Sequence, residues 1–304
     1  MKANSDKFQS SIDLSQKTDP AQRAAILIEA LPYIRQFEDK IIVVKYGGNA
    51  LAGASEADAL SLFAQDLVLM RLVGLKPIVV HGGGPQITDL LAKVGKKTEF
   101  RNGLRVTDAE TMDIVRMVLI GQVNPRIVSE INVYGHHAVG VSGEDAGLIQ
   151  AVPRDSSLGF VGDVQEIRPE LLYRLLDDDF IPVVATIGVD EAGQAYNINA
   201  DTVASSIAVA VKAEKLIYLT DIEGLRSDVD DPTSLVSAVT ASELEAMITT
   251  GTVSDGMIPK VQGCIDAVRA GVGRAHVLDG RLPHVLLLEL FTDAGIGTMI
   301  EGDQ

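Results

Sequence analysis

Cysteine, tryptophan, long apolar runs and positive charge are all scarce in this 304-residue chain. It has one cysteine, Cys264, no tryptophan, and only 4% aromatic residues. A lone cysteine excludes an internal disulfide framework and goes with a reducing compartment. No apolar run reaches the roughly 18–20 residues needed to cross a bilayer. Residues 1–6 are polar and lack the apolar stretch of a secretory signal, so the expectation is a cytoplasmic protein. Lys and Arg number 26 against 42 Asp and Glu, a formal net charge of −16. That balance argues against a nucleic-acid partner, which needs clustered cations. Five histidines are present, but no H-E-x-x-H or Cys/His cluster, so no protein-held metal is expected. Also missing are the G-x-x-x-x-G-K-[ST] loop, a G-x-G-x-x-G turn after a strand, and the G-x-S-x-G elbow of a serine hydrolase.

What is there is a large apolar fraction, 46%, enough for a sizeable core, and a strand–helix grammar. Residues 1–17 are polar and read as mobile. Thr18-Asp19-Pro20 reads as a helix start, and Ala21–Phe37 has near-helical apolar spacing with a kink expected at Pro32. Ile41–Val44 and Pro77–Val80 are short β-branched runs of the kind that form buried parallel strands. Between them, Leu60, Phe63, Leu67 and Met70 mark one face of a helix closed by Gly74. This strand–helix–strand unit places two glycine turns, Gly47-Gly48 and Gly82-Gly83-Gly84, at one edge of a parallel sheet. Thr107-Asp108-Ala109-Glu110 has the form of a capping box led by Thr107, with a helix expected to about Ile120. Pro182–Ala185 and Leu216–Leu219 read as further buried strands, with helices over 201–212 and 259–270. No internal repeat or low-complexity linker occurs. The turn near Ile187–Tyr196 divides the chain into an N-terminal segment over 1–38, one lobe over 39–190 and a second over 191–304.

The charge balance sharpens the search for chemistry. An acidic protein that handles anions must gather positive potential locally, through backbone N–H groups, helix N-termini and a few placed lysines. Lys45 ends the first strand just before the Gly47-Gly48 pair, although such turns also serve merely as tight connections. Arg105 precedes a helix, suited to gripping a carboxylate or standing as a solvated loop charge. Asn197 and Asp201 bracket another helix start, where caps are common. Lys260 sits in a helix's first turn, against the local dipole.

In this order, Lys45-Tyr46-Gly47-Gly48, His81-Gly82-Gly83-Gly84, Asn197-Ile198-Asn199-Ala200-Asp201, Leu219-Thr220-Asp221-Ile222-Glu223-Gly224-Leu225 and Asp255-Gly256-Met257-Ile258-Pro259-Lys260 resemble the motifs of the amino acid kinase family, over about 40–298. Phe100–Asp108 is similar to members that phosphorylate N-acetyl-L-glutamate in arginine biosynthesis. The resemblance implies an open α/β/α sandwich with a mainly parallel central sheet, plus an N-terminal helix. It also implies ATP with Mg²⁺ as the phosphoryl donor complex. Carried over by position, Lys45, Lys260 and Asp201 form the catalytic set, with Asp201 holding both lysines. Gly47, Gly48 and Gly83 offer N–H groups to phosphate. Gly82, Gly83, Arg105 and Asn197 bind the acceptor, and Thr220, Asp221 and Leu225 line the nucleotide site. The tail is similar to that of arginine-inhibited members, which implies an L-arginine site at His276, Glu289 and Gly295 and a homohexamer, a trimer of dimers joined by N-terminal helices. Glu289 has a plainer reading as the polar end of an edge strand. A PII-type regulator is a further partner that some relatives have. The competing expectations are a related kinase acting on an acetylated aminoadipate and a catalytically silent arginine sensor.

Overall fold

A computed structural model of the chain describes residues 19–47, 56–101, 103–228, 231, 233–253, 256–293 and 295–303. The segment 1–17 and Gly48, singled out above, lie outside the described residues.

Two short helices, α1 (Pro20–Glu29) and α2 (Leu31–Phe37), lead to the first strand. Asp19 caps α1, its side chain accepting from Ala21 N–H. Pro32 cannot donate to the carbonyl four residues back, and the chain breaks into two helices at Ala30. Then come β1 (Ile41–Tyr46), α3 (Glu56–Leu72), β2 (Lys76–His81) and α4 (Gly84–Lys93), with Gly74 in the left-handed region at φ +97° closing the α3–β2 turn. A small antiparallel hairpin, β3 (Phe100–Arg101) and β4 (Leu104–Arg105), precedes α5 (Ala109–Val118). The cap of α5 is Asp108, whose side chain accepts from Thr111 N–H. Thr107, expected as the cap, is instead buried with its hydroxyl bonded to the Arg105 carbonyl. The helix also does not stop near Ile120. It widens into a π-turn over Leu119–Val123 and continues as α6 (Asn124–Asn132).

The remaining elements are β5 (Ala138–Ser142), β6 (Ile149–Pro153), β7 (Gly162–Ile167), α7 (Glu170–Asp177), β8 (Ile181–Ala185), β9 (Ile187–Val189), β10 (Ala195–Asn197), α8 (Ala200–Ala210), β11 (Lys215–Thr220), β12 (Ala238–Thr240), α9 (Ala241–Thr249), α10 (Ile258–Arg269), β13 (Arg274–Asp279), α11 (Val285–Phe291) and β14 (Thr298–Glu301). The central sheet runs β12-β14-β13-β11-β1-β2-β8-β5, parallel throughout except at β13–β14. A second sheet, β10-β9-β6-β7, carries the hairpin at 187–197. The result is an open α/β/α sandwich, as the motifs imply.

Successive residues of a strand point to opposite faces, and the two core layers follow. Val43, Val80, Val184, Leu216 and Tyr218 pack under α8, α9 and α10, whereas Ile42, Val44, Val79, Ile217 and Leu219 pack under α3 and α11. Lys45 therefore leaves the C-terminal end of β1 on the α8–α10 face. Among the described residues no helix is long and apolar enough to cross a membrane.

Candidate functional site

The parallel strands end at one edge, and this is where the predicted residues meet. Lys45 is nearly buried beside the first turn of α8, and its Nζ lies 2.8 Å from Asp201 Oδ1. Lys260, in the first turn of α10, brings its Nζ within 2.8 Å of the other oxygen, Oδ2. One carboxylate thus spans two ammonium groups from different elements. Burial alone would raise the Asp201 carboxyl, but the two lysines outweigh it and hold it below the usual carboxylate range. Asn199 fixes the turn that presents Asp201, its side-chain oxygen accepting from Asp201 N–H at 2.7 Å and Thr202 N–H at 3.4 Å. Beneath it, Tyr218 Oη donates to the Asp201 main-chain carbonyl at 2.9 Å. Asn199 lies in the motif singled out above, where caps are expected, and it is the cap; Tyr218 was not singled out, because a strand tyrosine carries no distinguishing pattern.

A cleft of about 250 Å³ opens beside Lys45, walled by Gly47, Gly82, Gly83, Arg105, Asn197 and Asp201. Gly47 is tightly enclosed: a Cβ there would stand 3.1 Å from the Leu219 carbonyl and 3.2 Å from Lys45 Nζ. At Gly83 a Cβ would meet Leu119 Cδ2 at 2.7 Å. Arg105 is nearly buried, its guanidinium 4.7 Å from the centre of the Phe100 ring. It donates to Thr98 Oγ1, Gly84 O and Thr88 Oγ1, which uses three of its five N–H donors and leaves two for a ligand. Burial lowers its pKa, yet an arginine keeps its charge. Asn197 Nδ2 donates to Thr107 Oγ1 at 3.4 Å. The β3–β4 hairpin, bearing Phe100, Gly103 and Leu104, forms one wall of this cleft.

A second groove, about 290 Å³, lies past the end of β11 and is lined by Asp221, Gly224, Leu225, Val253, Met257 and Arg281 among others. Asp221 and Leu225 line it as the motif implies. Thr220 does not: it is buried, and its hydroxyl braces the Ile222 and Leu278 carbonyls. Arg281 was not assigned to this groove from sequence, and only the fold brings the end of β13 alongside that of β11. Met257 caps α10, so the helix that carries Lys260 begins at the groove's rim.

The third predicted cluster is partly assembled. His276 on β13 and Glu289 on α11 face each other at 3.1 Å, out of line for a hydrogen bond. Glu289 lies in a helix, not at the end of an edge strand, so its plainer reading is replaced. Lys215, which sequence reading missed, pairs with Glu289 at 2.8 Å and lies 5.2 Å from the Phe37 ring centre. Burial, then the charges of Lys215 and Arg274, push His276 down to about 2, so it is neutral. Gly295 is exposed in the loop after α11. Tyr33 Oη donates to Asp293 in that loop, tying α2 to it.

Among the described residues no three His, Cys, Asp or Glu side chains converge to hold a metal ion.

Comparison with known proteins gives the family. The family model described as the amino acid kinase family matches residues 40–279. The acetylglutamate kinase of Syntrophomonas wolfei is 52% identical over 281 residues, covering 92% of this chain and 97% of that protein. That of Symbiobacterium thermophilum is 53% identical over 287 residues, with 91% and 97% covered. Among solved structures, N-acetylglutamate synthase from Neisseria gonorrhoeae, complexed with coenzyme A and N-acetyl-glutamate, has a TM-score of 0.81 at 27% identity. This chain is covered to 92% there but spans 64% of the synthase's length. The same synthase complexed with coenzyme A and L-arginine gives 0.75 at 26% identity, covering 91% of this chain and 65% of that one.

Proposed function

This chain belongs to the amino acid kinase family, and from that premise we infer that it transfers the γ-phosphoryl group of ATP to the γ-carboxylate of N-acetyl-L-glutamate, a step of arginine biosynthesis. The products are N-acetyl-L-glutamyl 5-phosphate and ADP. The observation that carries the reading is the Asp201 carboxylate bridging Lys45 and Lys260 beside an arginine-lined cleft.

The acceptor carboxylate has a reference pKa near ~4.3 and is ionised at neutral pH, so no general base is needed. One carboxylate oxygen forms a bond to the γ-phosphorus as the bond to the β-phosphate oxygen breaks, and no proton moves. The obstacle is electrostatic. Two unit negative charges 4 Å apart repel by about 4 kcal/mol at an effective dielectric of 20. Lys45 and Lys260 offset that repulsion, and their fixed positions stabilise charge as it spreads over the transferring group. Asp201 keeps the two ammonium groups from driving each other apart. Arg105, with two donors to spare, and Asn197 grip the acceptor's α-carboxylate end. Gly47 and Gly83 let backbone N–H groups approach the phosphoryl oxygens. Mg²⁺ would belong to the substrate nucleotide complex, held by its phosphates.

L-arginine is the effector in this reading, received where Lys215, His276 and Glu289 meet. A carboxylate suits a guanidinium, although Lys215 must release Glu289 first. The exposed side chains Ile26, Leu27, Ile28 and Leu31 along α1 and the start of α2 support assembly through this segment into a homohexamer. The cytoplasm, where ATP is made available to biosynthesis, is the setting.

A coupled ADP-release assay tests the activity, comparing N-acetyl-L-glutamate with aspartate, glutamate and UMP. The expected result is turnover with N-acetyl-L-glutamate alone. Turnover confined to another acceptor overturns the reading.

A further inference from the structure

The HGGG turn contributes glycines to the site, but its histidine is fully buried and absent from the cleft wall. His81 Nδ1 lies 3.0 Å from the Gly82 carbonyl, and Nε2 lies 3.0 Å from Asn124 Nδ2. Asn124 Nδ2 also donates to the Val183 carbonyl at 2.8 Å. A carbonyl can only accept, so the amide NH₂ must face it, and its second proton goes to His81. Nε2 is therefore the acceptor and Nδ1 carries the proton that is donated to Gly82. Burial pushes His81 down to about 4, which keeps this neutral tautomer at working pH.

The peptide so gripped is the one between Gly82 and Gly83. In a trans peptide the N–H points away from the C=O. Holding the Gly82 carbonyl toward the core therefore aims the Gly83 N–H away from it, toward the cleft. The other side of the turn is packed by Leu119 and Val123: a Cβ on Gly83 would meet their side chains at 2.7 and 3.2 Å. Leu119, Val123 and Asn124 all belong to the π-turn or the residue that closes it, where Asn124 N–H reaches back five residues to the Leu119 carbonyl. Pro125 has no N–H to give an α-helical bond to Gly121, which favours the wider turn. Without the added residue, position 124 would sit about 100° further round the helix and miss His81.

We propose that the π-turn, Asn124 and His81 form a positioning device that sets the orientation of the Gly82–Gly83 peptide, so that Gly83 N–H meets the transferring phosphoryl group in the transition state. This rests on the kinase reading above, and the parent's turnover of N-acetyl-L-glutamate in the same assay keeps the two apart.

Two amide substitutions separate the ring's roles. His81→Asn places a donor where Nδ1 was, whereas His81→Gln reaches Asn124 but loses the bond to Gly82. His81→Gln is expected to lower kcat roughly tenfold or more with both KM values nearly unchanged, because the lost donor acts in the transition state. His81→Asn is expected to retain kcat to within about threefold. Gly140→Ala reaches the device from outside the cleft, since its Cβ would stand 1.9 Å from Asn124 Oδ1. It should reproduce the loss in kcat without a change in KM. Equal kcat for the two His81 variants, or parent kcat in folded Gly140→Ala, overturns the proposal. Should a His81 variant not fold, Gly140→Ala decides alone.

Discussion

At the scale of single residues, the site is a problem of like charges held close. Two lysines converge on one carboxylate from β1 and α10, and neither would stay if the carboxylate were neutral. Asp201→Asn keeps the shape and removes the charge. It is expected to lower kcat by about 10²-fold or more, read in the ADP-release assay, since both ammonium groups lose their anchor. It should also lower stability at neutral pH by roughly 3 kcal/mol in urea unfolding, the cost of leaving mostly buried cations unpaired. The pH dependence has a definite sign. A carboxyl whose folded pKa is depressed contributes stability above its unfolded value, lost as pH falls through the folded one. The gap between parent and variant should therefore narrow below about pH 3.8, the ordinary value of an aspartate; a gap constant down to the lowest pH at which both fold would refute the role. Gly47→Ala gives a second test: its Cβ would press on Lys45 Nζ at 3.2 Å and the Leu219 carbonyl at 3.1 Å. We expect soluble protein with kcat reduced about tenfold, and full activity would show that the turn has slack.

At the scale of elements, α11 is short and follows His284, which lies in the left-handed region at φ +55°. What holds it is Asp66 of α3, a buried carboxyl bonded to His284 Nδ1 at 2.6 Å and to the backbone of Leu286. Burial raises the Asp66 pKa, and the bond to Asp66 raises that of His284. A histidine with a raised folded pKa contributes stability that is complete below about pH 6.5, its unfolded value, and is lost as pH rises through the folded one. The raised Asp66 pKa acts in the same direction. The parent's urea midpoint should therefore fall, relative to that of His284→Gln, as pH rises above about 6.5; parallel pH profiles would remove the latch. This helix also marks where sequence reading ran out. Residues 285–291 are almost wholly apolar, and so short a run has no period that separates a helix from a strand. The parallel strands and their glycine turns were legible because β-branched runs ending in glycine have few alternatives. The cap at Asp108 and the π-turn were not, since Thr107 and Asp108 both suit a cap and the wide turn leaves no mark except Pro125. Lys215 was hidden for a related reason: one lysine opening an apolar strand reads as a solvated end until β13 and α11 close over it.

At the scale of the molecule, the N-terminal segment connects two proposals, assembly and regulation. Ile26, Leu27 and Ile28 of α1 are 59%, 71% and 69% exposed, apolar side chains that the proposed assembly would cover. The same segment continues into α2, whose Phe37 closes over Lys215 and whose Tyr33 holds the loop after α11. An effector seated at Lys215, His276 and Glu289 would therefore press on the element that reaches a neighbouring subunit, and its influence on the active site would travel through the subunit contact. Leu27→Glu with Ile28→Glu tests this. Both side chains are exposed and distant in sequence from every residue of the cleft, so basal turnover should remain within about twofold of the parent. Light scattering should show a smaller assembly, and inhibition by millimolar arginine should weaken together with it. If the double variant keeps its mass, the strip is not the contact. If it dissociates yet responds to arginine as the parent does, inhibition acts within one subunit, and the link between the N-terminal segment and regulation is broken.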